Sequence, residues 1–143
     1  KKIISGVSSK GQKKKSNKYM ILGTSVDMIE VERIAASTGR NSGFREMVFS
    51  KREIEYCESK ASPFQHYAAR FAAKEAFLKA IGSGWNSGLA LHEIEIVNEI
   101  NGKPRLLLSG KTAAALESLE IRIIHVSLSH LKAYASAIVI LES

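Results

Sequence analysis

Two carboxylates in this chain stand where they could do chemistry. Asp27 lies near the exit of an apolar run, Tyr19-Met-Ile-Leu-Gly-Thr-Ser-Val-Asp-Met-Ile29. Glu75 lies in an alanine-rich stretch, Ala68-Ala-Arg-Phe-Ala-Ala-Lys-Glu-Ala-Phe-Leu-Lys-Ala-Ile-Gly-Ser-Gly84. One hard oxygen donor from each of two elements is the usual protein share of a magnesium site, in which the ion keeps waters and takes its other ligands from substrate phosphates. Arg70, Lys74 and Lys79, on the same stretch as Glu75, could hold phosphate oxygens, and Gly82-Ser83-Gly84 would let a phosphorylated ligand approach the backbone closely. The set points to phosphoryl-group chemistry on a diphosphate, with a metal neutralising developing charge. A plainer reading stands beside it. Glu75 and Lys79 have the spacing of an i,i+4 surface pair worth a few tenths of a kcal/mol, and Asp27 can cap the helix that follows it.

The elements that must position these groups follow from periodicity and caps. Ser62-Pro63 reads as an N-cap followed by proline at the first helical position, and good helix formers then run to about Ile81, where Gly82 stops them. Phe64, Tyr67, Phe71 and Leu78 form one apolar stripe, and Ala69, Ala73, Ala76 and Ala80 another. His66, Arg70 and Lys74 make a polar seam between them. Such a helix is covered on two flanks, which leaves Glu75 partly desolvated and in need of a cation or firm hydrogen bonds.

Upstream, the Tyr19–Ile29 run reads as a strand and Glu30–Ala36 as a short helix closing at Ser37-Thr-Gly39. Ser50-Lys-Arg-Glu53 fits a capping box. Downstream, Leu91–Val97 and Arg105–Leu108 alternate at period two around Asn101-Gly102, a strong hairpin turn signal. A short helix over 110–118 and two strands, 121–129 and 134–141, joined by a tight His130–Ala133 connection, complete an α+β domain. Its mostly antiparallel sheet packs on the long central helix.

The chain has 143 residues and a net charge of +7, but the charge is not spread evenly. Seven of the 21 basic residues fall in residues 1–18, which hold no acid, and the remainder balances 14 basic against 14 acidic groups. The division expected is therefore a basic disordered tail over 1–18 and one folded domain over 19–143. A nucleic-acid-binding protein working through that tail is the alternative class; it predicts steeply salt-dependent binding that is lost when residues 1–18 are deleted. The single Cys57 excludes an intrachain disulfide and a cysteine-cluster metal site, and reads as a small half-buried filler. No apolar run has membrane-spanning length and no signal-peptide pattern is present, so a cytoplasmic protein with no membrane partner is expected.

Four blocks occur in the order and spacing of one family: Gly23-Thr-Ser-Val-Asp27-Met-Ile-Glu-Val-Glu-Arg33-Ile34, Arg70-Phe-Ala-Ala-Lys-Glu75-Ala-Phe-Leu-Lys79-Ala-Ile-Gly-Ser-Gly84, Asn101-Gly-Lys-Pro104 and Val126-Ser-Leu-Ser-His130. From about Met20 to Glu142 the chain resembles the holo-[acyl-carrier-protein] synthases, the small bacterial branch of the 4′-phosphopantetheinyl transferases. The resemblance implies that family's fold and the transfer of 4′-phosphopantetheine from coenzyme A to a serine of acyl carrier protein, in support of fatty acid biosynthesis. It implies magnesium held by Asp27 and Glu75, with Lys79 near the pyrophosphate and these three as the catalytic set. Lys74, Gly82, Ser83 and Gly84 fall where the family binds coenzyme A. Arg70 and His130 are implied for its 3′-phosphate and adenosine end. Arg33 and Arg40 are implied for the acidic carrier protein, and a homotrimer with active sites at subunit interfaces is implied for the assembly. The resemblance leaves open what accepts the serine proton. A relative that binds coenzyme A without transferring from it is the remaining alternative. Thr24-Ser25, Leu78, Leu131 and Gly43 depart from the family pattern, and the last shifts weight in carrier recognition onto Arg33, Arg40 and Arg45.

Overall fold

The computed structural model describes residues 19–39, 41–84 and 87–143. Arg40 and the lysine-rich segment 1–18 lie outside the described residues. Among the described residues two sheets and five α-helices make up the fold. Strand β1 (Ile21–Glu30) is followed by helices α1 (Val31–Gly39), α2 (Phe44–Val48), α3 (Lys51–Glu58) and α4 (Pro63–Ala80). The hairpin β2 (Ile94–Asn98) and β3 (Pro104–Leu108), helix α5 (Gly110–Leu116) and strands β4 (Ile123–His130) and β5 (Tyr134–Glu142) complete it. This is the expected α+β architecture, with antiparallel pairing throughout. β5 is the middle strand of the order β1-β5-β4, and β2-β3 stands apart as a two-stranded sheet.

The main sheet is two-faced because its strands alternate. Ile29, Ala135, Ala137, Val139 and Leu141 point inward and are buried, while Val26, Met28 and Ile138 stand exposed on the other face. Helix α4 lies across the inward face, against β1, β5 and β4. Its alanines let it approach closely. Gly23 of β1 is part of that fit, since a Cβ there would collide with the carbonyl oxygen of Ala80. From Tyr67 to Leu78 nearly every residue of α4 is buried, as a helix with apolar residues on all sides requires. Phe49 and Tyr67 seal the α3 side with ring centroids 4.8 Å apart.

The predicted caps are partly realised. Ser50 and Glu53 form the complete capping box of α3. Pro63 is the first residue of α4, but Ser62 makes no side-chain cap bond. At the other end Ser83 N–H donates to the Leu78 carbonyl at 2.9 Å and Gly82 N–H to the Lys79 carbonyl at 3.1 Å. That is a Schellman closure, and it needs the positive φ of 75° that Gly82 supplies. The strand expected to begin at Leu91 begins at Ile94 instead, after a 3-10 turn over Leu91–Glu93. The cause is competition for polar groups. The Leu91 and Ile94 carbonyls are taken by Lys74, and the Glu93 carboxylate turns away to accept from the Lys111 and Thr112 amides at the start of α5. Asn101-Gly102 makes the expected turn, with Gly102 at φ 84°. Cys57 is fully buried, and burial pushes its thiol up to about 12. Among the described residues no helix is long and apolar enough to cross a membrane.

Candidate active site

The end of β1 and the C-terminal half of α4 meet at a pair of opposite charges. Asp27 pairs across the sheet with Ala137 and keeps its carboxylate mostly covered. Lys79 reaches over from α4, placing Nζ 3.5 Å from Asp27 Oδ1 and donating to the Val26 carbonyl at 2.7 Å. Glu75 is half-buried and lies one turn before Lys79 on the same face of α4. The strand carboxylate and the two helix residues that the sequence singled out thus lie along one side of the molecule. Just beyond them α4 ends at Gly82-Ser83-Gly84, where a Cβ added at either glycine would meet nothing within 4 Å.

Arg70 of α4 and His130 at the end of β4 belong to a second cluster, joined through Tyr56 and His66. The Arg70 guanidinium is buried and stacks over the Tyr56 ring, 4.0 Å from its centroid. It donates to Asn98 Oδ1 at 2.7 Å, and Asn98 in turn donates to the Gly102 carbonyl at 2.9 Å, which ties Arg70 to the Asn101–Pro104 hairpin. Arg70 Nε is buried with no partner. The His66 ring stands edge-on to both Tyr56, at 5.7 Å, and His130, at 5.0 Å. Burial, together with the neighbouring His130, Arg70 and Lys60, holds His66 below the usual histidine range. His130 Nδ1 and Gln65 Oε1 are hydrogen-bonded at 3.0 Å.

Lys74 is placed differently from what the polar seam suggested. Its ammonium group is fully enclosed and donates to Glu53 Oε2 at 2.8 Å, to the Leu91 carbonyl at 2.8 Å and to the Ile94 carbonyl at 2.6 Å. An ammonium has three hydrogens, so none is left for a ligand. Arg33 is exposed on α1, while Arg45 is occupied by Glu46 at 2.8 Å and Glu58 at 3.3 Å.

Comparison with known proteins gives the family. The family model of the 4′-phosphopantetheinyl transferase superfamily matches residues 25–139. The chain belongs to that superfamily. A holo-[acyl-carrier-protein] synthase of Syntrophus aciditrophicus is 46% identical over 124 residues, covering 86% of this chain and 97% of the relative. Among solved structures, the holo-[acyl-carrier-protein] synthase of Neisseria meningitidis superposes with a TM-score of 0.78 at 28% identity, covering 87% of this chain and 100% of that one. A holo-(acyl-carrier-protein) synthase of Bacillus anthracis, solved in complex with CoA (3′,5′-ADP), superposes with a TM-score of 0.72 at 34% identity over 87% of this chain and 98% of that one. The superfamily match holds Asp27, Arg70, Glu75, Lys79 and His130 within its span and stops short of the lysine-rich segment.

Sequence reading missed four members of these clusters: Tyr56, Gln65, Asn98 and Glu53. Only Glu53 carried a usable signal, as the glutamate of the capping box, and that signal named a helix start rather than a partner for Lys74.

Proposed function

We propose that this chain transfers the 4′-phosphopantetheine group of coenzyme A to a serine hydroxyl of an acyl carrier protein, releasing adenosine 3′,5′-bisphosphate. The serine oxygen attacks the β-phosphorus of the pyrophosphate in line, the bond from that phosphorus to the bridging oxygen breaks, and the nucleotide leaves with the electron pair. The serine proton passes to a base at the site, for which half-buried Glu75 is this chain's own candidate. The observation that carries the reading is the Lys79–Asp27 pair on the face of α4 that also holds Glu75. Lys79, 55% exposed, is free to turn from Asp27 toward a pyrophosphate oxygen.

The donor set fits magnesium. Asp27 and Glu75 offer hard oxygens, and Asp27 already faces a cation. Among the described residues no group of three or more histidines, cysteines or acids gathers around one point. Asp27 and Glu75 would hold the ion, and when bound it supplies neutralisation of the phosphate charge. Gly82, Ser83 and Gly84 would line the coenzyme A path, and Arg70 with His130 would receive its nucleotide end. Exposed Arg33, with Arg40, would meet the acidic carrier protein.

The assembly proposed is a homotrimer acting in the cytoplasm, in support of fatty acid biosynthesis. What supports the trimer is the outer face of the β1-β5-β4 sheet. There Val26 and Ile138 are register partners and, with Met28, remain exposed, an apolar surface that another copy of the chain would cover.

The deciding experiment is mass spectrometry of an apo acyl carrier protein incubated with this chain, coenzyme A and magnesium. A mass gain equal to phosphopantetheine is expected, and it should vanish with Asp27→Ala or Glu75→Ala while the fold persists. Binding of coenzyme A with no mass gain would reduce the chain to a coenzyme A binder, and full turnover in either variant would refute the assignment.

A further inference from the structure

Glu53 and Lys74 form a charged pair with both side chains at 0% exposure, and nothing in the transfer chemistry uses it. Every polar atom of the pair is spoken for. Glu53 Oε2 accepts from Lys74 and from the Ser50 amide at 2.9 Å, and Oε1 accepts from the Ile96 amide at 2.9 Å. Lys74 adds the Leu91 and Ile94 carbonyls. One pair therefore joins the start of α3, the middle of α4 and the start of the β2–β3 hairpin.

A buried pair of this kind is weak evidence for stability, because apolar replacements of similar volume are often as stable or more so. Its value lies in what packing alone cannot fix. Around the middle of α4 buried alanines stand among the large buried side chains of Tyr67, Phe71, Phe77 and Leu78, whose apolar contacts limit the rotation of the helix about its axis but supply no directional bond. A charged group with three fixed acceptors does set that rotation. Lys74 immediately precedes Glu75 and lies five residues before Lys79. Side chains reach about 5–6 Å from a helix axis, so a turn of about 10° moves the tip of Glu75 by about 1 Å. A misplacement of that order costs up to about 100-fold in rate.

We propose that Glu53 and Lys74 are positioning residues for the transfer: their buried pair sets the rotation of α4 and so aims Glu75 and Lys79 at Asp27. Lys74 then acts from inside the protein and does not touch coenzyme A. This rests on Glu75 and Lys79 belonging to the reacting site.

The test compares Glu53→Gln, Lys74→Met and the double variant in steady-state transfer to an acyl carrier protein. Thermal melting and calorimetric binding of coenzyme A are measured on the same preparations. The double variant strands neither charge, and its glutamine still offers an oxygen to a backbone amide, so it provides a folded protein if a single variant does not. Positioning predicts that kcat falls on the order of 10–100-fold in each variant, that coenzyme A binding stays within about threefold, and that the double variant is no worse than the worse single. The proposal is overturned if Lys74→Met alone weakens coenzyme A binding about tenfold while Glu53→Gln behaves as the parent, the pattern of a direct contact. It is equally overturned if the variants melt lower yet keep their kcat, the pattern of a purely structural pair. Glu75→Gln, assayed alongside, separates the two readings: full activity there removes the reacting site from this helix face, whatever Glu53 and Lys74 do.

Discussion

Lys79 Nζ lies 3.5 Å from Asp27 Oδ1, so a lysine of the central helix and an aspartate of the first strand meet across 52 residues of sequence. The contact is long for a salt bridge and half-exposed on the lysine side, so it should contribute no more than about 1 kcal/mol to stability. Its expected importance is to the reaction. Lys79→Met should leave the melting temperature within a few degrees of the parent and lower kcat/KM for transfer on the order of 10²-fold, as loss of one charge-stabilising donor does. Melting and turnover on one preparation check both halves. Unchanged turnover would return Lys79 to the role of a surface pair.

Chelation separates the metal from the fold. If the chain contributes only Asp27 and Glu75 to a magnesium ion and the substrate contributes the rest, EDTA should abolish transfer, added magnesium should restore it, and the melting temperature without coenzyme A should not move. Transfer that persists in excess EDTA would take the ion out of the reaction.

Two glycines beside the site should respond differently to alanine. At Gly82 the added methyl meets nothing within 4 Å, so Gly82→Ala bears only the left-handed backbone, about 1–2 kcal/mol. At Gly23 the methyl runs into the Ala80 carbonyl oxygen, and β1 must move away from α4. Gly23→Ala should therefore cost more than Gly82→Ala in denaturant unfolding, and it should also lower transfer by shifting Asp27. The reverse order of stabilities would mean that the approach of β1 to α4 is looser than it looks.

What could be read from the sequence was local. Ser50 and Glu53 stand three residues apart, Asn101-Gly102 names its own turn, and the helix from Pro63 to Gly82 follows from composition and a stop signal. The partners that decide where charges go are not local. Lys74 and Glu53 are 21 residues apart, and Arg70 and Asn98 are 28 apart, so no spacing rule links either pair. Helical periodicity makes His66, Arg70 and Lys74 a polar seam but does not report what covers it. Leu91–Val97 looked like a single strand because alternation cannot register that Lys74 and the start of α5 compete for its first polar groups. Of the candidate site, local spacing places Glu75 and Lys79 on one turn, and the structure adds the contact of Lys79 with Asp27. The roles expected of the three residues come from the resemblance of the motif blocks and not from spacing.

Acid stability should carry the mark of Glu93. Hydrogen bonds from Thr112, its side chain foremost and then its amide, hold the Glu93 carboxyl below its ordinary 4.5. The carboxylate also receives the Lys111 amide at the start of α5, while the Thr112 hydroxyl accepts from the Ala90 amide at 3.0 Å. A carboxyl whose pKa is lower folded than unfolded binds more protons when unfolded. Its stabilisation is therefore fully present above 4.5 and is lost as pH falls through the lower folded value. The parent chain should lose melting temperature as the pH drops below about 4.5, with α5 and the Leu91–Glu93 turn loosening first. Glu93→Gln should melt lower than the parent at neutral pH and show a shallower decline over the same acid range. Melting curves of the two proteins across that range provide the check, and parallel declines would show that the acid sensitivity belongs to other carboxylates.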